Sequence, residues 1–287
     1  MKRGKVFIGI CAGAIIVLLV IVFYFVVNSN ANLDVGDIEV GDVDVGDKNP
    51  MRGKSNNRRQ SQSITKNYSF DNISDFSSFV VNHNVGDVIV GYNKGENIEV
   101  EATCFIEFYN QDDVDKIEKN VDVIITTKDN ECLVAAVSKE DNNTDLWDWV
   151  SENVENVNFS ISLAIFLPRS FVFYIVETDC GGIKLLGLEG NIKAKTDTGS
   201  IEVKDCIFEG DCSVSTDTGA ISLEIRKGLE VKADIFVKTD TGSITLDLSG
   251  NNVEYKEKDK KSIKCVVNGI CNLNATVNAA GKISVYE

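Results

Sequence analysis

The sequence predicts an all-β chain: a single-stranded β-solenoid with stacked rungs of about 20 residues, minor helical insertions and one N-terminal transmembrane helix. Three observations predict this class. A motif recurs four times, as Thr178-Asp179-Cys180-Gly181-Gly182-Ile183, Thr196-Asp197-Thr198-Gly199-Ser200-Ile201, Thr216-Asp217-Thr218-Gly219-Ala220-Ile221 and Thr239-Asp240-Thr241-Gly242-Ser243-Ile244, with starts 18, 20 and 23 residues apart. Apolar residues alternate with period two on both sides of each turn, as in half-buried strands. Helical periodicity is confined to two short stretches.

Aligned on glycine, Val176/Thr178, Ala194/Thr196, Val214/Thr216 and Val237/Thr239 share one strand face before the turn. Ile183/Leu185, Ile201/Val203, Ile221/Leu223 and Ile244/Leu246 share one face after it. Glu177, Lys195, Ser215 and Lys238 fall between and belong outside. One unit has too little apolar surface to fold, but units stacked about 4.8 Å apart bury a continuous column. Gly181, Gly199, Gly219 and Gly242 are the expected structural turn residues, supplying positive φ. Asp179, Asp197, Asp217 and Asp240 are expected to accept backbone N–H bonds in Asx-type turns, and the threonines to hydrogen-bond along the stack.

The remaining elements follow in chain order. Val6 to Val27 is an uncharged run of 22 residues. As a helix it measures about 33 Å, against a hydrocarbon core of about 30 Å. Lys2, Arg3 and Lys5 precede it, so the expected organisation is a cytoplasmic tail at 1–5, a membrane helix at 6–28 and everything beyond outside the cell. The run exceeds the apolar core of a cleaved secretory signal, although Ser29-Asn30-Ala31 has the small residues such a site wants. Residues 29–63 read as a flexible tether, with Val-Gly-Asp at 35, 40 and 45 and then a polar run. The extracytoplasmic β domain is expected over 64–287. Within it, Asp112 to Val121 and Asn142 to Asn158 have helical spacing, the second with caps at Asn143 or Thr144. Phe159 to Val176 reads as strand interrupted at Pro168-Arg169, the ionic stretch Asn251 to Ser262 as a loop, and Thr276 to Val285 as a degraded last repeat.

The net charge is −15; without the three cytoplasmic cations the rest carries 26 positive against 44 negative charges. Such a surface repels nucleic acid and anionic lipid. Of eight cysteines, seven lie beyond the membrane run, an odd number that excludes a complete disulfide set within one chain. Cys206/Cys212 and Cys265/Cys271, each six apart, have bridging spacing, yet Cys212 aligns with Ile192 and Cys180 with Thr198, which favours small buried side chains. Without Cys-x-x-Cys, zinc has no support.

Motifs for chemistry are sparse. Neither a nucleophile elbow, nor a P-loop, nor His-Glu-x-x-His occurs. The sole histidine, His83, reads as a surface or turn residue. The acids recur with the repeat, as structural residues do. The same four aspartates are the metal candidates, because stacked carboxylates attract a hard cation, but the glycine-rich calcium repeat is missing. No catalytic residue and no cofactor is expected. Trp147 and Trp149, on the second helical stretch, are a candidate contact patch, or part of a helix covering the sheets.

The membrane segment, the run Asn84-Val85-Gly86-Asp87-Val88-Ile89-Val90, the Phe166-Leu167-Pro168 step and the Thr-Asp-Thr-Gly-x-Ile units together resemble the bacterial "putative adhesin" domain family, first catalogued as a domain of unknown function. The resemblance covers about 64–287. It implies a single-stranded β-solenoid at the surface of a Gram-positive-type cell; some relatives resemble accessory proteins encoded beside envelope-stress sensing systems. It carries over no catalytic residue. The 142–158 insertion and the cysteine count depart from the family pattern. The expected function is that of a non-enzymatic, membrane-anchored interaction protein whose partner is an envelope protein or glycan. The alternatives are a surface rod assembling through open sheet ends and a solenoid enzyme acting on polysaccharides.

Overall fold

The structure, a computed structural model, describes residues 59–287 except 72, 74–75, 141–143 and 229–231. The expected membrane helix and almost all of the tether lie outside the described residues. Among the described residues no helix is long and apolar enough to cross a membrane. The chain divides into units 1–59 and 60–287, and the described strands and helices belong to the second.

The strands are β1 (Gln60–Phe70), β2 (Ser78–Val85), β3 (Val88–Tyr92), β4 (Ile98–Phe108), β5 (Val121–Lys128), β6 (Glu131–Ser138) and β7 (Asn158–Leu167). Then come β8 (Phe173–Cys180), β9 (Ile183–Leu186), β10 (Glu189–Thr198), β11 (Ile201–Phe208), β12 (Gly210–Thr218) and β13 (Ile221–Ile225). The chain ends with β14 (Ala233–Thr241), β15 (Ile244–Asp247), β16 (Val253–Lys258), β17 (Ser262–Val267), β18 (Cys271–Val277) and β19 (Ile283–Tyr286). Two helices, α1 (Gln111–Asn120) and α2 (Leu146–Asn153), complete the described elements. The protein is all-β.

Strands on either side of each glycine turn join different ladders. One runs β7-β3-β9-β11-β13-β15-β19, every pair parallel. The other runs β6-β2-β8-β10-β12-β14-β18, also parallel. The repeats sit in register: Thr178, Thr196, Thr216 and Thr239 are aligned, as are Ile183, Ile201, Ile221, Ile244 and Ile283. The core lies between the ladders, where Val214, Leu223 and Ile235 are fully buried. Each such side chain contributes roughly 1.5–3 kcal/mol.

Antiparallel strands finish both ladders. β1 and β4 extend the first beyond β7, and β5 extends the second beyond β6. Here α1 drives Val114 and Ile117 into the core. Asn110 caps α1 by accepting from the Asp112 N–H at 3.2 Å, while Asp112, Asp113 and Lys119 suit the helix dipole. Lys66 Nζ on β1 donates to the carbonyls of Glu118 and Val121 at 2.6 and 2.9 Å, tying the two sheet edges together. At the other end β17 and β16 extend the second ladder, and the Ile283 N–H donates across to the Lys260 carbonyl. The added strands still leave outer edges, on β1 and β5 at one end and on β16 at the other, with no strand partner among the described residues.

Further boundaries differ from expectation. β1 begins at Gln60, inside the expected tether, because it has β4 to pair with along all its length. The stretch 253–258 is a strand rather than a loop; its alternation of half-buried Val253, Tyr255 and Glu257 with exposed Glu254, Lys256 and Lys258 suits a charged edge strand. α2 stops at Asn153, with Val154 extended and Asn156 at φ 56°, so the spacing of Val154 and Val157 is not helical. Its cap is Asp145, whose carboxylate accepts from the Trp147 N–H at 2.9 Å. In the last rung Val277, not Thr276, stands opposite Thr239.

Candidate functional site

The glycine file is the most regular feature of the fold. Gly181, Gly219 and Gly242 have φ of 158, 157 and 149°, but Gly199 does not share the positive φ, so conformational freedom is not what the four have in common. Close approach is. A Cβ on Gly181 or Gly199 would lie 2.5 Å from the carbonyl carbon of Gly86 or Gly181, one rung earlier, and nearer still to its oxygen. On Gly219 or Gly242 the distance to the carbonyl carbon of Gly199 or Gly219 is 2.6 Å. Buried threonine hydroxyls complete each corner: Thr196 donates to the Gly181 carbonyl at 3.0 Å, Thr216 to Gly199 at 3.0 Å and Thr239 to Gly219 at 3.1 Å.

The repeat aspartates do something other than expected. No turn N–H is bonded to them among the described residues. Asp197 pairs with Lys195 at 3.3 Å and Asp240 with Lys238 at 3.2 Å, two residues back on the same outward strand face. Asp240 also accepts from the Asn278 amide at 2.7 Å, and the hydrogen bonds from Lys238 and Asn278 hold its carboxyl below the usual range. The reason is parity: side chains two apart on a strand point the same way. At the Gly181 corner a carboxylate from the preceding rung takes the capping role: Asp87 accepts the Gly182 N–H at 2.7 Å. Burial pushes the Asp87 carboxyl above the usual carboxylate range, opposed by that bond. Among the described residues no group of three or more His, Cys, Asp or Glu converges as a metal site.

His83 corrects the surface or turn reading. It stands opposite Thr178 in the ladder, where later rungs place threonine, and is only 3% exposed. Its Nε2 lies 2.6 Å from the Ile161 carbonyl and must therefore carry the proton. Burial pushes its pKa down to about 4, against the raising effect of that bond. Trp147 meets the imidazole edge-on, ring centroids 4.9 Å apart. Trp149 is buried, its indole N–H donating to Glu140 Oε2 at 3.0 Å. The two tryptophans thus pack α2 onto the sheets and do not form an exposed patch.

Cys206, Cys212, Cys265 and Cys271 are thiols, so neither six-residue spacing forms a bridge. Cys206 and Cys212 face the core as apolar side chains, and burial pushes the Cys206 thiol up to about 12. Thiols held this far up are not nucleophiles.

A cleft of about 500 Å³ is lined by Asn93, Lys94, Gly95, Glu96, Pro168, Arg169 and Ser170. Its walls are braced. The Asn93 amide donates to the Asn97 carbonyl at 2.7 Å, and its carbonyl accepts from the Gly95 N–H at 3.0 Å. The Arg169 guanidinium lies over the Tyr92 ring, 4.8 Å from its centroid. The Tyr92 hydroxyl is anchored 2.8 Å from that of Tyr174 and accepts from the Glu189 N–H at 3.0 Å. In the sequence Pro168-Arg169 shows only as a strand interruption, since the two loops meet through the pairing of β3 and β4 with β7.

No family model matches the chain, and no curated protein does. Among solved structures, a "putative cell adhesion protein" from Clostridium sporogenes covers 80% of this chain and 100% of its own, at 12% identity and TM-score 0.29. A "putative adhesin" from Bacteroides fragilis covers 78% of this chain and 97% of its own, at 10% identity and TM-score 0.30. Likenesses this remote carry no weight for activity, partner or family.

Proposed function

We propose that the chain is a non-enzymatic, single-pass membrane protein whose extracytoplasmic β-solenoid presents a binding surface to an envelope protein or glycan. One observation supports the binding role above all: the rungs form two in-register parallel ladders, and Lys195–Asp197 and Lys238–Asp240, two rungs apart, present the same ion pair outward. A rigid, periodic surface suits a periodic partner, because weak contacts add along its length. The same pairs speak against polysaccharide cleavage, which needs carboxylates set to different acidities across a scissile bond. Here Asp197 and Asp240 project to solvent beside Lys195 and Lys238. Exposed Glu254, Lys256 and Lys258 on the edge strand β16 speak against a rod growing from that end. The uncharged run Val6–Val27 behind Lys2, Arg3 and Lys5 supports the anchor.

The test is fractionation and binding together. Expressed in its host, the full chain should sediment with membranes, resist carbonate extraction and be shaved by protease added outside intact cells. In mild detergent it should retain one envelope component, and retain it less when Lys195, Asp197, Lys238 and Asp240 are all replaced by serine. Recovery in the cytosol overturns the anchored reading; glycan cleavage abolished by a single Asp→Asn change overturns the non-enzymatic one.

A further inference from the structure

The structure leaves one long sheet edge without the devices that normally guard it. β1 pairs with β4 across eleven residues, Gln60 to Phe70, and among the described residues nothing pairs with its other edge. At about 3.4 Å per residue this is roughly 37 Å of open backbone donors and acceptors. Natural edges of this kind carry lysines, prolines, bulges or little length. β16 carries exposed Glu254, Lys256 and Lys258, and β19 has only four residues. β1 holds neither proline nor glycine, and its one charge, Lys66, is turned inward onto the carbonyls of Glu118 and Val121. Its exposed residues are Ser61, Ser63, Thr65, Asn67 and Ser69 along one face, with Gln60 at its start.

We propose that β1 is the docking edge for a second copy of this chain, paired antiparallel about a two-fold axis at Thr65. Two features select that occupant. The first is charge: a chain of net charge −15 repels its own copy over most of its surface, and β1 is a stretch that contains no acid. The second is self-complementarity. The two-fold sets Ser63 opposite Asn67 and Ser61 opposite Ser69 on the outer face, and Ile64 opposite Lys66 on the inner one, so no like charges meet. Thr65 already lies hydroxyl to hydroxyl with Thr103 of β4 at 3.1 Å, a contact the outer face repeats easily. Such a pair makes roughly ten backbone hydrogen bonds. The contact is isologous, so it closes as a dimer and does not propagate.

The experiment is sedimentation velocity on the full chain in mild detergent over a concentration series. The wild type should dimerise. The double variant Ser63→Lys/Asn67→Lys places lysines directly opposite each other and should weaken the dimer at least about tenfold. Ser63→Glu/Asn67→Glu should do the same, and mixing the two variants should restore a heterodimer, because lysine then faces glutamate. Both positions are exposed, and Asn67 stands opposite Glu101 of β4, so the lysine variant should keep the wild-type melting temperature and the glutamate variant should melt slightly lower. A wild type that stays monomeric, a dimer indifferent to the lysine variant, or variants that fail to recombine would each overturn the proposal; the second result would put the contact elsewhere, such as in the membrane run.

Discussion

Replacing Gly219 by alanine adds one methyl group where the structure leaves no room. The new Cβ would stand 2.6 Å from the carbonyl carbon of Gly199 and 3.3 Å from Thr216 Oγ1. Carbon atoms rest at about 3.5–4.0 Å, so the rungs must separate by about 1 Å at this corner. Three hydrogen bonds cross the gap or adjoin it: Gly219 N–H to Thr241 at 2.9 Å, Gly199 N–H to Thr218 at 3.0 Å, and Thr216 Oγ1 to Gly199 at 3.0 Å. At about 1 kcal/mol each, their loss costs about 3 kcal/mol, a fall in melting temperature of roughly 6–12 °C for a domain of this size. Gly187 is the control. Its φ is +67° and a methyl group there would meet nothing within 4 Å, so Gly187→Ala bears only left-handed strain, about 1–2 kcal/mol. Differential scanning calorimetry of both variants decides the matter. If Gly219→Ala loses no more stability than Gly187→Ala, the glycines serve turn conformation and not rung contact, and the argument from close approach is wrong.

Other consequences are as specific. Thr216→Val keeps shape but removes the hydroxyl donated to Gly199, and should cost about 1 kcal/mol in urea unfolding while Thr216→Ser costs less. His83 is held neutral in the fold at a pKa of about 4, against 6.5 unfolded. The unfolded state therefore binds the extra proton first: stability is complete above about pH 6.5 and falls toward pH 4, by up to about 3 kcal/mol. The urea midpoint of the wild type should drop over that window more steeply than that of His83→Gln; parallel curves would refute the assignment. Maleimide should modify half-buried Cys180 first and leave Cys206 and Cys212 untouched until the chain unfolds, a sequence that mass spectrometry reads directly.

Much of the stack is legible in the sequence because a repeat writes register into the chain. Thr178, Thr196, Thr216 and Thr239 lie at the same place in the motif, and they lie side by side in the ladder. Alternation tells which residues point inward, down to Cys212, whose sulfur sits 3.3 Å from the Ile192 nitrogen. The ends are illegible for the opposite reason. β1 meets β4 and β16 meets β17 through antiparallel pairings that repeat nowhere, so no periodicity announces them. His83 reads as exposed because a single polar residue looks alike on either strand face until its neighbours are known.

By itself, the sequence determined an all-β class, the composition of each rung, and the places of glycine and threonine, since local alternation and a period near 20 residues need no distant partner to be read. The tertiary structure alone decided why those residues are needed. The glycines yield space to a carbonyl one rung away, the threonines satisfy that carbonyl, and Asp197 and Asp240 turn to Lys195 and Lys238. The first two depend on the distance between chain segments some 20 residues apart, a quantity that exists only after the rungs have stacked; the third depends on which strand face the stack leaves to solvent.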